Sequence, residues 1–174
     1  MVNAFIRPSD IKTLQHRHIT VVRGTHCYLR LNLPETKRHD RPMVTLQAAV
    51  PVYERLLAWQ KTLGFGSADD YVFLPEQRDR DQALESYGWQ FQHIQSQSGV
   101  GANASNGQRR TLYSLRHTAI TFRLLYGGRI DLLTLARNAR TSVEMIERFY
   151  ASTLTGEMNV GLRSEEHTSE LQSH

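Results

Sequence analysis

The spacing of apolar residues along the chain alternates between helical and strand-like, and it predicts a mainly helical α+β domain with one small antiparallel sheet near its start. After Pro8, a residue tolerated in a first helical turn, Ile11, Leu14 and Ile19 fall on a mixed face and predict a short helix over residues 9–18. Residues 19–22 and 27–32 predict strands separated by the turn residues Gly24 and Thr25, and 43–46 predicts a third. The connection 34–42 is polar and basic, a hairpin-like loop able to present Lys37 at its tip or rim. From Pro51 to residue 62, Val52, Leu56, Leu57 and Trp59 stand among charged residues at the spacing of an amphipathic helix, which Gly64 and Gly66 end. A short apolar stretch, 71–74, precedes Pro75, and a polar helix follows over 79–95 with Leu84, Tyr87, Trp89, Phe91 and Ile94 as its apolar residues. Residues 96–108, rich in Gly, Ser, Asn and Gln, read as a flexible loop inside one domain rather than a linker between two. Three helices close the pattern at 112–126, 131–138 and 142–151, with Gly127 and Gly128 breaking the first from the second. No internal repeat is visible.

A length of 174 residues suits one domain with a sizeable core, or a piece of something larger. The 21 basic residues exceed the 17 acidic ones, and only Lys12, Lys37 and Lys61 are lysine; the rest are arginine. Arginine's planar, always-charged fork matches phosphate oxygens, so the balance favours a nucleic-acid partner over a membrane, although such a bias also tracks GC-rich coding. The last residues, 163–174, continue no periodic pattern, resemble the translation of a sequencing-adapter oligonucleotide and are expected to be non-native. Without them the net charge rises from +4 to +6. One cysteine, Cys27, rules out an internal disulfide framework, and no Cys/His group has metal-ligand spacing, so no metal or other cofactor is expected. No apolar run reaches the roughly 20 residues of a membrane span and no secretion signal opens the chain, which predicts a soluble cytoplasmic protein.

Three short motifs carry the candidate chemistry: Phe5-Ile6-Arg7-Pro8-Ser9-Asp10, Tyr113-Ser114-Leu115-Arg116-His117-Thr118, and the run from Thr141 to Tyr150. In this order they resemble the first, second and last boxes of the tyrosine recombinase (phage integrase) family, with Lys37 standing between the first two where the family has a β-hairpin lysine. The similarity covers residues 3–152, and four elements in order are far more specific than any one alone.

The resemblance implies a catalytic domain over 1–162, lacking its first helix and a separate N-terminal DNA-binding domain. It implies a site-specific recombinase of a mobile element or phage that integrates or exchanges double-stranded DNA as a homotetramer. Tyr150 matches the nucleophile, which forms a 3′-phosphotyrosyl link and frees a 5′ hydroxyl without ATP or metal. A phenol with a pKa near about 10 attacks poorly at neutral pH unless fixed positive charges neutralise the charge that grows on the phosphate. Arg7 and Arg116 match the arginines that do this. Lys37 matches the lysine that protonates the leaving oxygen, and its neighbours Arg38 and Arg41, expected to touch the DNA backbone, would tend to lower its pKa. A solvated lysine touching phosphates is the plainer reading of Lys37. His117 matches a histidine that either supports the site or transfers a proton. Asp10 resembles an acidic position that orients an arginine.

Two positions depart from the family pattern. Tyr113 stands where the second box often begins with His, and Thr141 stands nine residues before Tyr150 where His or Trp is usual. Both can donate a hydrogen bond to phosphate, but neither titrates near neutral pH. With Glu144, Thr141 also makes a Thr-x-x-Glu capping box for the last helix, a role compatible with phosphate contact. Tyr150 shares a helix face with Val143 and Ile146, so a core tyrosine is its bland alternative. At the level of the whole chain the alternatives are a non-cleaving DNA-binding domain of the same fold, a type IB topoisomerase-like enzyme, or a helical scaffold with a basic face for acidic proteins.

Overall fold

The structure, a computed structural model, describes residues 1–34, 42–103, 107–127 and 130–150. It is of mixed α+β type, with five α-helices and a three-stranded antiparallel sheet among the described residues. The chain divides into two compact units, Met1–Ala119 and Ile120–His174, the division falling within one helix.

In the first unit β1 (Ile19–Val22) pairs antiparallel with β2 (Tyr28–Leu31), Ile19 opposite Leu31 and Val22 opposite Tyr28. The short β3 (Met43–Val44) lies on the other edge of β2 with Met43 opposite Leu31. In β2 the alternation is clear: Leu29 and Leu31 are buried and Arg30 is exposed, as one solvated face requires. The strand expected over 43–46 is shorter because Thr45 replaces a rung of the ladder with its side chain. Its Oγ1 accepts from Leu29 N (3.0 Å) and donates to the Leu46 carbonyl (2.9 Å).

The helix expected over 9–18 is instead two 3-10 helices, Pro8–Lys12 and His16–His18. Between them Gln15 is extended and bridges to Tyr71, and its N–H donates to His18 Nδ1 at 3.1 Å, so an α-helical ladder cannot run through. Ile11 and Leu14 are nevertheless buried, as their spacing predicts.

Helix α1 (Ala49–Thr62) carries Pro51 in its first turn but turns a different face inward from the one its apolar residues mark. It buries Val50, Tyr53 and Gln60, and leaves Val52 and Trp59 more than half exposed. The reason is a buried polar chain. His16 Nδ1 lies 3.0 Å from the Tyr53 hydroxyl and His16 Nε2 lies 2.8 Å from Gln60 Oε1, while Gln60 Nε2 donates to the Val72 carbonyl at 3.0 Å. Satisfied in this way, the polar side chains recover in hydrogen bonds much of what their desolvation costs and can occupy the core.

Helix α2 (Arg80–Gln97) starts where Asp79 accepts from Asp81 N and Gln82 N, and it packs on the first 3-10 helix. Arg80 holds this junction together. Its guanidinium donates to the carbonyls of Ile11, Lys12, Phe73, Leu74 and Gln77 and lies 3.9 Å over the Tyr71 ring. The segment expected to be flexible over 96–108 is in part regular: α2 extends to Gln97, Asn103 bridges to Arg109, and Arg110 donates to the carbonyls of Gly101 and Asn103.

Helix α3 (Leu112–Tyr126) contains the division between the units. In the second unit α4 (Leu132–Asn138) is capped by Asp131, which accepts from Thr134 N at 2.8 Å, and it ends in a Schellman turn. Thr141 N donates to Ala136 O (2.9 Å) and Arg140 N to Arg137 O (3.1 Å), with Arg140 left-handed at φ +50°, where glycine is usual. Helix α5 (Val143–Tyr150) then packs on α4, burying Ile146 and Tyr150.

Candidate active site

Arg7 is the residue before the first 3-10 helix, extended at φ −84° and ψ 156° and half-buried. Its N–H donates to Asp10 Oδ2 at 2.6 Å, and the Asp10 N–H donates back to the Arg7 carbonyl at 3.0 Å. The buried carboxylate of Asp10 thus fixes the main chain at Arg7, and with it the point from which the arginine side chain leaves the backbone.

Arg116 lies one turn into α3 and is only 2% exposed. Its Nη1 donates to the main-chain carbonyl of Phe5, 111 residues away in sequence and two before Arg7. The first and second motifs therefore meet within one unit.

Tyr113 and His117 stand one helical turn apart on α3, both on the exposed side, with ring centroids 5.0 Å apart and an edge-on contact. Partial burial, and then the neighbouring charge of Arg116, hold the His117 pKa below the ordinary imidazole value, so at neutral pH the ring is uncharged and able to accept a proton. Thr118 donates to the Ser114 carbonyl at 3.0 Å.

In the second unit Tyr150 ends α5, one turn after Ile146, and is 7% exposed, while Met145 and Phe149 on the same helix are 42% and 50% exposed. The capping box expected between Thr141 and Glu144 is displaced by one residue. Ser142 Oγ accepts from Met145 N at 3.1 Å and the Ser142 carbonyl accepts from Ile146 N, so Ser142 caps α5. Thr141 instead gives its N–H to the turn that ends α4, and its side chain is half-buried.

Lys37, Arg38 and Arg41 lie outside the described residues, as do residues 151–174. Among the described residues no group of three His, Cys, Asp or Glu is placed to hold a metal ion, and no helix is long and apolar enough to cross a membrane.

One feature of the first unit has only a faint mark in the sequence. A cavity of about 350 Å³ opens between the first motif, α2 and the start of α3, lined by Pro8, Leu84, Gly88, Phe91, Arg109 and Tyr113 among others. Its mark is Gly88, a glycine in the interior of an otherwise glycine-free helix.

The chain matches no family model and no curated protein sequence.

Proposed function

We propose that the chain is the strand-cleaving part of a DNA strand transferase of the tyrosine recombinase type. In this reading Arg7 and Arg116 hold the non-bridging oxygens of one phosphate and Tyr150 attacks its phosphorus. The 5′ oxygen departs with a proton from Lys37, and a 5′ hydroxyl from a partner duplex later reverses the step. The phosphotyrosyl bond conserves the energy of the broken phosphodiester, so the exchange is reversible and balanced without a cofactor. His117, uncharged at neutral pH, is the best available acceptor for the Tyr150 proton, since Tyr113 and Thr141 do not titrate there. Arg38 and Arg41 would track the DNA backbone, and the working assembly would be a homotetramer on paired sites.

The observation that carries the reading is the meeting of the first two motifs: a buried Arg116 gripping the carbonyl of Phe5, beside Arg7, across 111 residues of chain. The test is covalent capture. Duplexes of random sequence carrying a nick are incubated with the chain and resolved under denaturing conditions. A DNA adduct with the wild type that disappears in Tyr150→Phe supports the proposal, and salt-sensitive binding with no adduct overturns it.

A second reading, a DNA-binding domain of the same type that does not cleave, is favoured by one observation. Tyr150 is 7% exposed beside Ile146 on the inner side of α5, which suits a core tyrosine. Salt-dependent DNA binding that survives in Tyr150→Phe with no adduct in either protein would select it.

A further inference from the structure

Gly88 sits inside α2 without a local reason to be glycine. A side-chain Cβ added there would meet nothing within 4 Å, so neither a close approach nor crowding demands it. Glycine is among the poorest helix formers, so its presence weakens α2. What it does is leave open the cavity that it lines, about 350 Å³, at the lower end of the roughly 300–1,000 Å³ of clefts that enclose small ligands.

The lining pairs apolar and aromatic walls (Leu84, Phe91, Tyr113) with Gln92 and Arg109, which carry hydrogen-bonding groups. Arg109 is the one cation among the lining residues; the guanidinium of neighbouring Arg110 is engaged by the carbonyls of Gly101 and Asn103, and Arg116 is buried on the carbonyl of Phe5. An apolar recess of this size with a single cation in its wall complements a ligand with an aromatic body and an attached anion. A free acyl chain would leave the hydrogen-bonding groups unused, and an aliphatic side chain would leave Arg109 unused.

We propose that this cavity takes one heterocyclic base lifted out of the DNA stack, stacked against Phe91 and Tyr113, with the phosphate attached to it on Arg109. The proposal rests on the reading of the chain as a DNA-acting protein and adds to it a subsite that holds a base rather than a phosphate. Extrusion costs unstacking energy, so the site favours bases already unpaired. Stacking on aromatic side chains is tolerant of base identity, whereas Gln92 supplies an edge that discriminates.

The test compares two short duplexes that differ at a single position, one with an unpaired adenine and one with an abasic residue there, by fluorescence anisotropy. The expected result is that the wild type binds the adenine duplex more tightly, roughly 5- to 150-fold, the value of stacking one base. Gly88→Leu, which fills the open space, should abolish the preference while leaving affinity for the abasic duplex intact. Phe91→Ala, which removes a wall, should also reduce it and serves as the readout if Gly88→Leu does not fold. Equal, salt-dependent binding of both duplexes by the wild type overturns the base subsite and leaves the DNA reading standing. Failure to bind either duplex overturns both. A preference unchanged in Gly88→Leu together with weakened self-association would assign the cavity to a second copy of the chain and also overturn the proposal.

Discussion

The guanidinium of Arg116 donates to the carbonyl of Phe5, and Phe5 is a buried, non-glycine residue held in the left-handed region at φ +48°. Such a conformation persists only where its surroundings over-determine it. The same device recurs at Leu74, at φ +47°, whose carbonyl accepts from Arg80 Nη1 at 2.9 Å. In the first unit, then, both described non-glycine residues with positive φ have their carbonyls gripped by an arginine.

Arg116 is accordingly expected to matter for the fold, whatever becomes of the chemistry proposed for it. Arg116→Ala leaves the buried Phe5 carbonyl without its donor, at a cost of about 1–3 kcal/mol. Urea unfolding monitored by circular dichroism should register that loss in the absence of DNA. A variant as stable as the wild type would mean that the Phe5 contact is incidental.

Arg80 is a purely structural case. Lysine at this position keeps the charge but cannot reach five carbonyls in the plane of a guanidinium or stack flat on Tyr71, so Arg80→Lys should destabilise by roughly 2–4 kcal/mol. The midpoint of thermal unfolding tests this, and a shift no larger than that of an exposed Arg78→Lys control would contradict it.

Two histidines set an acid limit. The His117 pKa lies below its ordinary value because of partial burial and then Arg116, and that of His18 because of burial and then Arg17. His18 Nδ1 moreover accepts from Gln15 N, which only the unprotonated ring can do. Both groups bind protons more readily in the unfolded chain. Their stabilising effect is therefore complete above the ordinary imidazole value of about 6.5 and is lost as pH falls through it toward the lower folded values. Asp131 adds an acid limit of the same sign further down: the Thr134 N–H holds its carboxyl below the usual range, so its contribution is present above the ordinary carboxylate value and is lost as pH falls through it. Urea midpoints should thus drop between about pH 7 and pH 5 in the wild type and drop less in His18→Gln/His117→Gln. Equal slopes would remove the histidines as the cause.

The sequence pattern was most legible where one local signal decides the outcome. Gly127 follows the end of α3 and the next helix starts beside Asp131, as the pattern predicts, and the alternation of Leu29, Arg30 and Leu31 gives the central strand and its buried face. It failed where long-range pairing overrides local pattern. The inner face of α1 is chosen by His16, which satisfies Tyr53 and Gln60, and no hydrophobic count along α1 can see a partner 37 and 44 residues upstream. The meeting of Arg116 with Phe5 was reachable only through the order of motifs, because nothing local in either segment points to the other. The cavity was hidden for the opposite reason, since its one mark, Gly88, reads locally as a mere weakness in a helix.

The turn between α4 and α5 separates capping from chemistry at adjacent residues. Ser142 supplies the oxygen that accepts from Met145 N, so Ser142→Ala should cost about 1 kcal/mol through loss of an N-cap, whatever the protein does with DNA. Thr141 contributes its main-chain N–H to the Ala136 carbonyl, a bond that alanine keeps, so Thr141→Ala should leave the unfolding midpoint nearly unchanged. The pair is therefore a clean probe of the hydroxyl at 141. If Thr141→Ala is as stable as the wild type and yet forms covalent DNA adduct more slowly, the hydroxyl acts on the phosphate although it departs from the family pattern. If it destabilises as much as Ser142→Ala, the cap has been assigned to the wrong residue. If it changes neither stability nor adduct formation, Thr141 has no part in the reaction, and the proton and phosphate work must fall to Arg7, Arg116 and His117.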